Sequence, residues 1–457
     1  MQLSFDRGTI ILRSPPDFFD PENLPGVRWD ARIAAHRAPA RFHSEIVAEL
    51  DRKSVRYTDS VRQPDSTSEN DWSAIELRPY QDAALAAWEI AKQRGVIALP
   101  TGSGKTHIAL AAIARHRKST LCLVPTRMLL QQWRVVLARV YRGPIGVLGD
   151  GSRTLSALTI ATFESGWRRM AEIGNRFDLL IVDEAHHFGN GLRDEALEMS
   201  TAQARLGLSA TPPTGLAADR LEELIGPTVY ELSIDDLAGR YLANFDSITL
   251  RLDLYRDERI NYERLITPFK DLRQTFRKLA PEADWVEFVR WAMRTPNGRQ
   301  ALTDWRHARS LLSLTLGKQK ALAELLRRHH DARVLVFTAD NEAAYTIARQ
   351  QLIMPLTCDI GRSEREEVLQ KFREGQLHAL VSARVLNEGI DVPDADIGIV
   401  VGGAQGEREH VQRVGRLLRP REGKRAVVYE LVARGTLEER QAQRRGEGLA
   451  PRIAAAL

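Results

Sequence analysis

Residues 99–106 read LPTGSGKT, and glycine, lysine and threonine in this order are the residue types that hold phosphate. Gly102 and Gly104 let the backbone turn tightly, so the amides from Gly102 through Ser103 to Thr106 can converge on anionic oxygens at a helix N-terminus. Lys105 would then contact the outer phosphates and the Thr106 hydroxyl would bind Mg2+. The context fits, because an apolar run precedes the loop and the helix-forming HIALAAIARH follows it. One position departs from the strict GxxxxGKT spacing: Leu99 stands where that pattern has its first glycine.

A second chemical group is FDLLIVDEAHH at 177–187, an apolar strand that ends in two carboxylates. At the carboxyl edge of a sheet, Asp183 would hold the metal, and Glu184 would orient and polarise an attacking water. His186 and His187 lack further clustered ligands for zinc, and His186 is expected to bond Ser209 or Thr211, or to meet another domain. A third group is QRVGRLLR at 412–419, which puts Arg416 and Arg419 on one helical face with Gln412 a turn earlier. Guanidinium groups arriving from a second domain can neutralise charge developing on a γ-phosphate. The three groups together describe a motor that consumes ATP with Mg2+ in a cleft between two domains.

The elements that must position these groups follow from hydrophobic patterning. From about 76 to 235, helical stretches alternate with short apolar runs at 95–99, 120–124, 158–161, 179–182 and 206–208. The pattern returns at 334–337, 379–381, 397–401 and 426–429. Such alternation predicts two α/β domains, each a parallel sheet covered by helices. Between them, residues 256–310 read as helical, basic and aromatic, with Lys270 and Arg273 near Phe269, Phe276, Trp285 and Trp305. Basic groups there could hold phosphates and aromatics could stack on bases, although aromatics at helical spacing more often fill a core. The first 70 residues open with a strand, a turn at Asp6-Arg7-Gly8 and a second strand, and the polar RQPDSTSEN at 62–70 reads as a linker.

Composition sets wide bounds. A chain of 457 residues suits about three units, and a charge of +5 permits a polyanionic partner without naming one. The two cysteines, Cys122 and Cys358, lie far apart among apolar residues and read as buried, reduced thiols. No run approaches the roughly 20 apolar residues that span a bilayer, and MQLSFDRGTIIL lacks the pattern of a signal peptide. The expectation is an intracellular, cytoplasmic protein without a membrane partner.

In this order the motifs resemble helicase superfamily 2 over about 76–435. ELRPYQ at 76–81 resembles the adenine-reading Q motif, which implies that Gln81 recognises the base with Arg78 and Tyr80 nearby. LVPTR at 123–127 and TIATF at 159–163 resemble motifs that hold one DNA strand, which implies strand contacts for Thr126, Arg127 and Thr162. LSATP at 208–212 resembles the coupling motif. In the second half, VLNEGIDVP implies that Gly389 and Asp391 approach the nucleotide, with Ser382 and Arg384 near the strand track. The chain is more narrowly similar to the XPB family in its short archaeal and bacterial form, through LPTGSGKTH, NRFDLLIVDEAHH, RLGLSATP and REHVQRVGRLLRP. The first 70 residues resemble that family's small DNA-damage recognition module through RGTIIL and the spacing to the Q motif. Long eukaryotic extensions are absent, which points to a prokaryotic source.

That resemblance implies two RecA-like parallel-sheet domains, a helical thumb-like insertion and a small N-terminal α+β domain. The expected boundaries are 1–70 for the N-terminal domain, 71–247 for the first RecA-like domain, 248–440 for the second with its insertion at 256–310, and 441–457 for a tail. It further implies a DNA-dependent ATPase that acts on duplex and single-stranded DNA, moves 3′ to 5′, and serves repair or transcription. One departure matters. The Arg-Glu-Asp triad that the family usually carries after the coupling motif is replaced by Pro212-Pro213-Thr214-Gly215-Leu216-Ala217-Ala218-Asp219, which favours translocation over efficient strand separation. The alternatives are an ATP-gated DNA scaffold that recruits a nuclease partner, a restriction-system motor and an RNA helicase.

Overall fold

A computed structural model describes residues 1–63, 72–191, 193–237, 244–357, 359–383, 395–402, 425–439 and 442. The chain divides into two compact units, with the division along the sequence between Ser233 and Ile234. The first holds the N-terminal module and one α/β domain; the second holds the helical insertion and the other α/β domain.

The N-terminal module is built on a hairpin, Gln2–Asp6 against Thr9–Arg13. Both turn residues have positive φ, Arg7 at 46° and Gly8 at 81°, as tight two-residue hairpins require. Gly8 has a second constraint, because a Cβ there would meet the Met199 side chain at 2.3 Å. Strands 35–39 and 28–30 extend the sheet on one side, and the two-residue strand Thr58–Asp59 adds in parallel on the other. Helix His43–Arg52 closes the module by burying Ile46 and Leu50 against Leu3, Ile10 and Leu12.

In the first α/β domain the strand order is 228–231, 94–98, 204–209, 179–183, 120–124, 158–162, 145–149, 152–154. Every pair is parallel except the final hairpin. The central strands are wholly buried, as strands covered on both faces must be. Cys122 lies in one of them, and burial pushes its thiol pKa up, with the Asp183 charge adding to the effect, so it is an inert core group. Cys358 lies outside the described residues.

The second sheet is parallel throughout, ordered 244–252, 425–433, 397–400, 334–337, 379–382, 354–356. Its edge strand Asn244–Leu252 starts ahead of the 247/248 boundary expected from sequence. The insertion forms three helices, Arg256–Leu279, Trp285–Ala292 and Pro296–Ser313. Its aromatics pack mainly on one another: Phe269, Phe276 and Phe288 are buried, and Phe269 stacks on Trp305 with centroids 5.3 Å apart. Trp285 is 42% exposed, with the Arg273 guanidinium 5.6 Å from its ring centroid.

Candidate nucleotide site and basic cleft

Strand Arg94–Ala98 runs into the loop and helix Lys105–His116 leaves it. Gly102 and Gly104 both take left-handed φ, 86° and 83°. A side chain at Gly104 would be strained by that φ and would also bring a Cβ within 2.5 Å of Gln81 Nε2. Leu99, the departure from the glycine pattern, is fully buried and continues the sheet by donating its N–H to Ser209 O at 2.9 Å. The Leu99 carbonyl in turn accepts from Lys105 Nζ at 2.9 Å, and Pro100 O lies 3.3 Å from the same ammonium. Ser103 is buried and donates its hydroxyl to Pro100 O at 2.7 Å; Thr106 is half-buried on the second residue of the helix.

The Q-motif segment is tied to this loop. Gln81 is buried; its Nε2 donates to Ser103 O at 2.8 Å, its Oε1 accepts from the Arg78 backbone N–H at 2.9 Å, and the Tyr80 hydroxyl donates to the same Ser103 carbonyl. Arg78 itself is exposed at the head of helix Pro79–Ile90.

Asp183 ends its strand one sheet position from the strand that bears the coupling motif. The carboxylate is buried, and burial pushes its pKa up, against the Trp133 indole, the Lys105 charge and a backbone N–H that favour ionisation. Trp133 Nε1 donates to Oδ2 at 2.8 Å and the Glu184 N–H donates to Oδ1 at 3.0 Å. Glu184 takes a left-handed backbone (φ 53°, ψ 51°), a conformation that costs a non-glycine residue about 1 kcal/mol or more. His186 Nδ1 lies 3.3 Å from Ser209 Oγ and 3.4 Å from Glu184 Oε2, and its ring stacks on His187. Ser209 Oγ also accepts the Thr211 N–H, so the carboxylate and coupling motifs share one hydrogen-bonded group. Among the described residues, no group of three or more His, Cys, Asp or Glu could hold a metal ion.

Thr162 ends its strand opposite Val124, the last residue of the neighbouring parallel strand, and Thr126 follows Val124 by two residues at the same sheet edge. Each caps a helix: Thr126 Oγ1 accepts the Leu129 N–H at 3.2 Å, and Thr162 Oγ1 accepts the Ser165 N–H at 3.2 Å. Two helix N-termini therefore open side by side, a favourable setting for anions. They border a cleft of about 660 Å³ lined by four arginines, Arg127, Arg153, Arg168 and Arg169, against two carboxylates, Asp150 and Glu172, with Ser152 and Ser165. The last three arginines were not singled out from sequence. Arg153 belongs to the small hairpin 145–154, whose short glycine-containing strands leave a weak pattern. Glu164 and Glu172 pair with Arg168 and Arg169 and dilute their charge in any linear reading.

Ser382 is fully buried and donates its hydroxyl to Leu356 O at 2.8 Å. Arg384, Gly389, Asp391, Gln412, Arg416 and Arg419 lie outside the described residues.

Two parallel α/β domains, with a glycine-lysine loop and a carboxylate pair at one sheet edge, define an ATP-hydrolysing helicase motor. Residues 74–214 match the family described as type III restriction enzyme, res subunit, and 317–421 match the helicase conserved C-terminal domain. Residues 3–61 match the xeroderma pigmentosum group B helicase damage recognition domain. The chain is 34% identical to the DNA 3′-5′ translocase XPB2 of Sulfurisphaera tokodaii over 93% of its own length and 96% of that protein. It is 28% identical to the DNA 3′-5′ helicase XPB of Mycobacterium tuberculosis, covering 86% of this chain and 67% of the relative. The chain belongs to the XPB helicase family. Its fold is similar to that of the Pyrococcus furiosus Hef helicase domain, at a TM-score of 0.50 and 20% identity over 81% of this chain and 98% of that one. It is also similar to S. cerevisiae Dbp5 bound to RNA and ADP BeF3, at 0.55 and 15% over 90% and 92%.

Proposed function

We propose that the chain is an ATP- and Mg2+-dependent translocase that moves 3′ to 5′ on DNA and opens duplexes in repair or transcription. One observation carries the reading: the phosphate loop, the buried Asp183 and two capped helix N-termini beside a basic cleft all end or follow strands of one mainly parallel sheet. The residues suit a magnesium-bound triphosphate. Thr101 and Thr211 each have a buried hydroxyl oxygen without a hydrogen-bond partner among the described residues. The Thr106 hydroxyl and the Asp183 carboxylate supply hard oxygen donors, as Mg2+ in nucleotide sites prefers.

In this reading the amides of Gly102, Ser103 and Gly104 cradle phosphate, Lys105 contacts the outer phosphates, and Gln81 and Arg78 read the base. Thr106 and Asp183 hold the metal, which when bound offsets charge on the phosphates. Glu184 orients the attacking water. Gln412, Arg416 and Arg419, with Gly389 and Asp391, complete the site from the second domain. Thr126, Arg127, Thr162 and Arg384 hold a DNA strand. The sequence Pro212-Pro213-Thr214-Gly215 in place of an acidic and basic triad makes translocation on duplex DNA the principal activity.

Steady-state ATP hydrolysis, measured with no nucleic acid, duplex DNA, single-stranded DNA or RNA, tests the proposal. DNA is expected to stimulate more than RNA, and Lys105→Ala and Glu184→Gln are expected to abolish turnover with an unchanged thermal melt. Stimulation by RNA alone, or indifference to all three, would overturn it.

A further inference from the structure

The Trp133 indole stands out against that of Trp88, which is likewise fully buried in the same domain. Buried tryptophans usually find a partner for their N–H. Trp88 uses a backbone carbonyl, Arg205 O at 2.9 Å. Trp133, 1% exposed, spends its N–H on a carboxylate oxygen of Asp183 at 2.8 Å, across 50 residues of sequence. A neutral donor on a carboxylate holds its plane and favours its charged form without adding a cation that would compete with a bound metal.

The helix that carries Trp133 also begins at the basic cleft. Helix Arg127–Val140 buries Leu130, Trp133 and Leu137 along one face and is capped by Thr126, while Arg127 at its head lines the cleft. Six residues separate Arg127 from Trp133, about 9 Å of helix rise. The strand that carries Asp183 is held on both sides, by 120–124 and 204–209. A shift of the helix relative to the sheet therefore changes the indole-to-carboxylate bond, whose strength falls steeply with distance and angle.

We propose that Trp133 is a positioning residue through which an anionic strand held at the head of its helix acts on the Asp183 carboxylate. The inference rests on the DNA-translocase reading for the identity of that strand. It makes the grip of Asp183 on Mg2+ respond to occupancy of the cleft, with Trp133 touching neither ligand.

The test uses the full chain with Trp133→Phe and Trp133→Tyr, which keep an aromatic ring and remove the indole N–H. Binding of a fluorescent, non-hydrolysable ATP analogue is followed while Mg2+ is titrated, with and without duplex DNA. Loss of the N–H is expected to raise the half-saturating Mg2+ concentration about tenfold, the scale typical of groups that support a metal ligand. DNA is expected to lower that concentration in the wild type and to leave it unmoved in Trp133→Phe. Arg127→Ala is expected to weaken the DNA effect in the wild type and to add nothing in the Trp133→Phe background. Wild-type Mg2+ dependence in a folded variant, or strictly additive effects of the two substitutions, would overturn the proposal. So would failure of both aromatic variants to fold, which would assign the indole to the core alone. If wild-type hydrolysis ignores DNA, the translocase reading fails instead, and the Mg2+ titration still reports on the Trp133–Asp183 bond.

Discussion

Gly104 is the position where backbone and side-chain constraints on the nucleotide loop coincide. Its φ of 83° is costly for any L-residue, by about 1–2 kcal/mol, and the space where a Cβ would stand is taken by Gln81 Nε2. Gln81 could swing away, but only by giving up its bond to Ser103 O, which ties the Q-motif segment to the loop. Gly104→Ala is therefore expected to weaken nucleotide binding about tenfold while moving the thermal melt only slightly. Titration with a fluorescent ATP analogue checks this, and wild-type affinity would show that the loop tolerates the strain. Glycine and lysine spacing made this loop legible, because few other backbones need those residues in that order. The bond from Trp133 to Asp183 left no such signal: a tryptophan on an apolar helix face reads as core whether or not its N–H has a task.

Among the elements, the junction of the insertion with the second α/β domain holds a buried ion pair. Lys318, near the start of helix Leu316–Arg328, is wholly buried, and its Nζ donates to Leu312 O and Glu438 Oε1, each at 2.7 Å. Glu438 uses its other oxygen to accept the Ala433 N–H at 2.9 Å, just where strand Arg425–Ala433 ends. Removing one partner strands the other's charge, which costs about 3–5 kcal/mol for a buried pair. Lys318→Ala is expected to lose about 3 kcal/mol in urea denaturation, the lower end because Glu438 keeps 12% of its side chain exposed. The central strands of both sheets were readable as apolar runs of three to five residues. Strands 145–149, 228–231 and 354–356 were not, since glycine, proline or a half-exposed pattern removes the run that marks a buried strand. The insertion's rings could have served bases or core, and packing decided for core at Phe269, Phe276 and Phe288.

In the molecule as a whole, the N-terminal module is fastened to the first α/β domain by a short chain of polar contacts. His43 Nε2 bonds Asp59 Oδ2 at 2.8 Å, and Asp59 Oδ1 accepts the Val61 N–H at 2.9 Å. Val61 O then accepts from Asn175 Nδ2 at 2.8 Å, and Arg62 forms an ion pair with Asp178. Burial lowers the His43 pKa despite the neighbouring Asp59 charge, and Arg62 adds to the lowering. The fold thus favours the neutral ring: its stability is complete above the ordinary histidine value near 6.5 and is lost as pH falls below that value. The thermal melt is expected to drop between pH 7.5 and 5.5, and His43→Gln is expected to flatten that part of the dependence. An identical slope in the variant would assign the acid sensitivity to other groups.

The sequence by itself determined the chemistry available to this chain and the type of its domains. Loop glycines, a lysine, a carboxylate pair at a strand end and apolar runs at regular intervals are local patterns, and local backbone physics turns them into a tight strand-loop-helix turn and parallel strands. Tertiary structure alone decided which distant groups meet. It placed the Trp133 indole on Asp183, gathered Arg153, Arg168 and Arg169 beside Arg127, and buried Lys318 against Glu438. Each of these depends on how helices register against a sheet, and no spacing along the chain encodes that geometry.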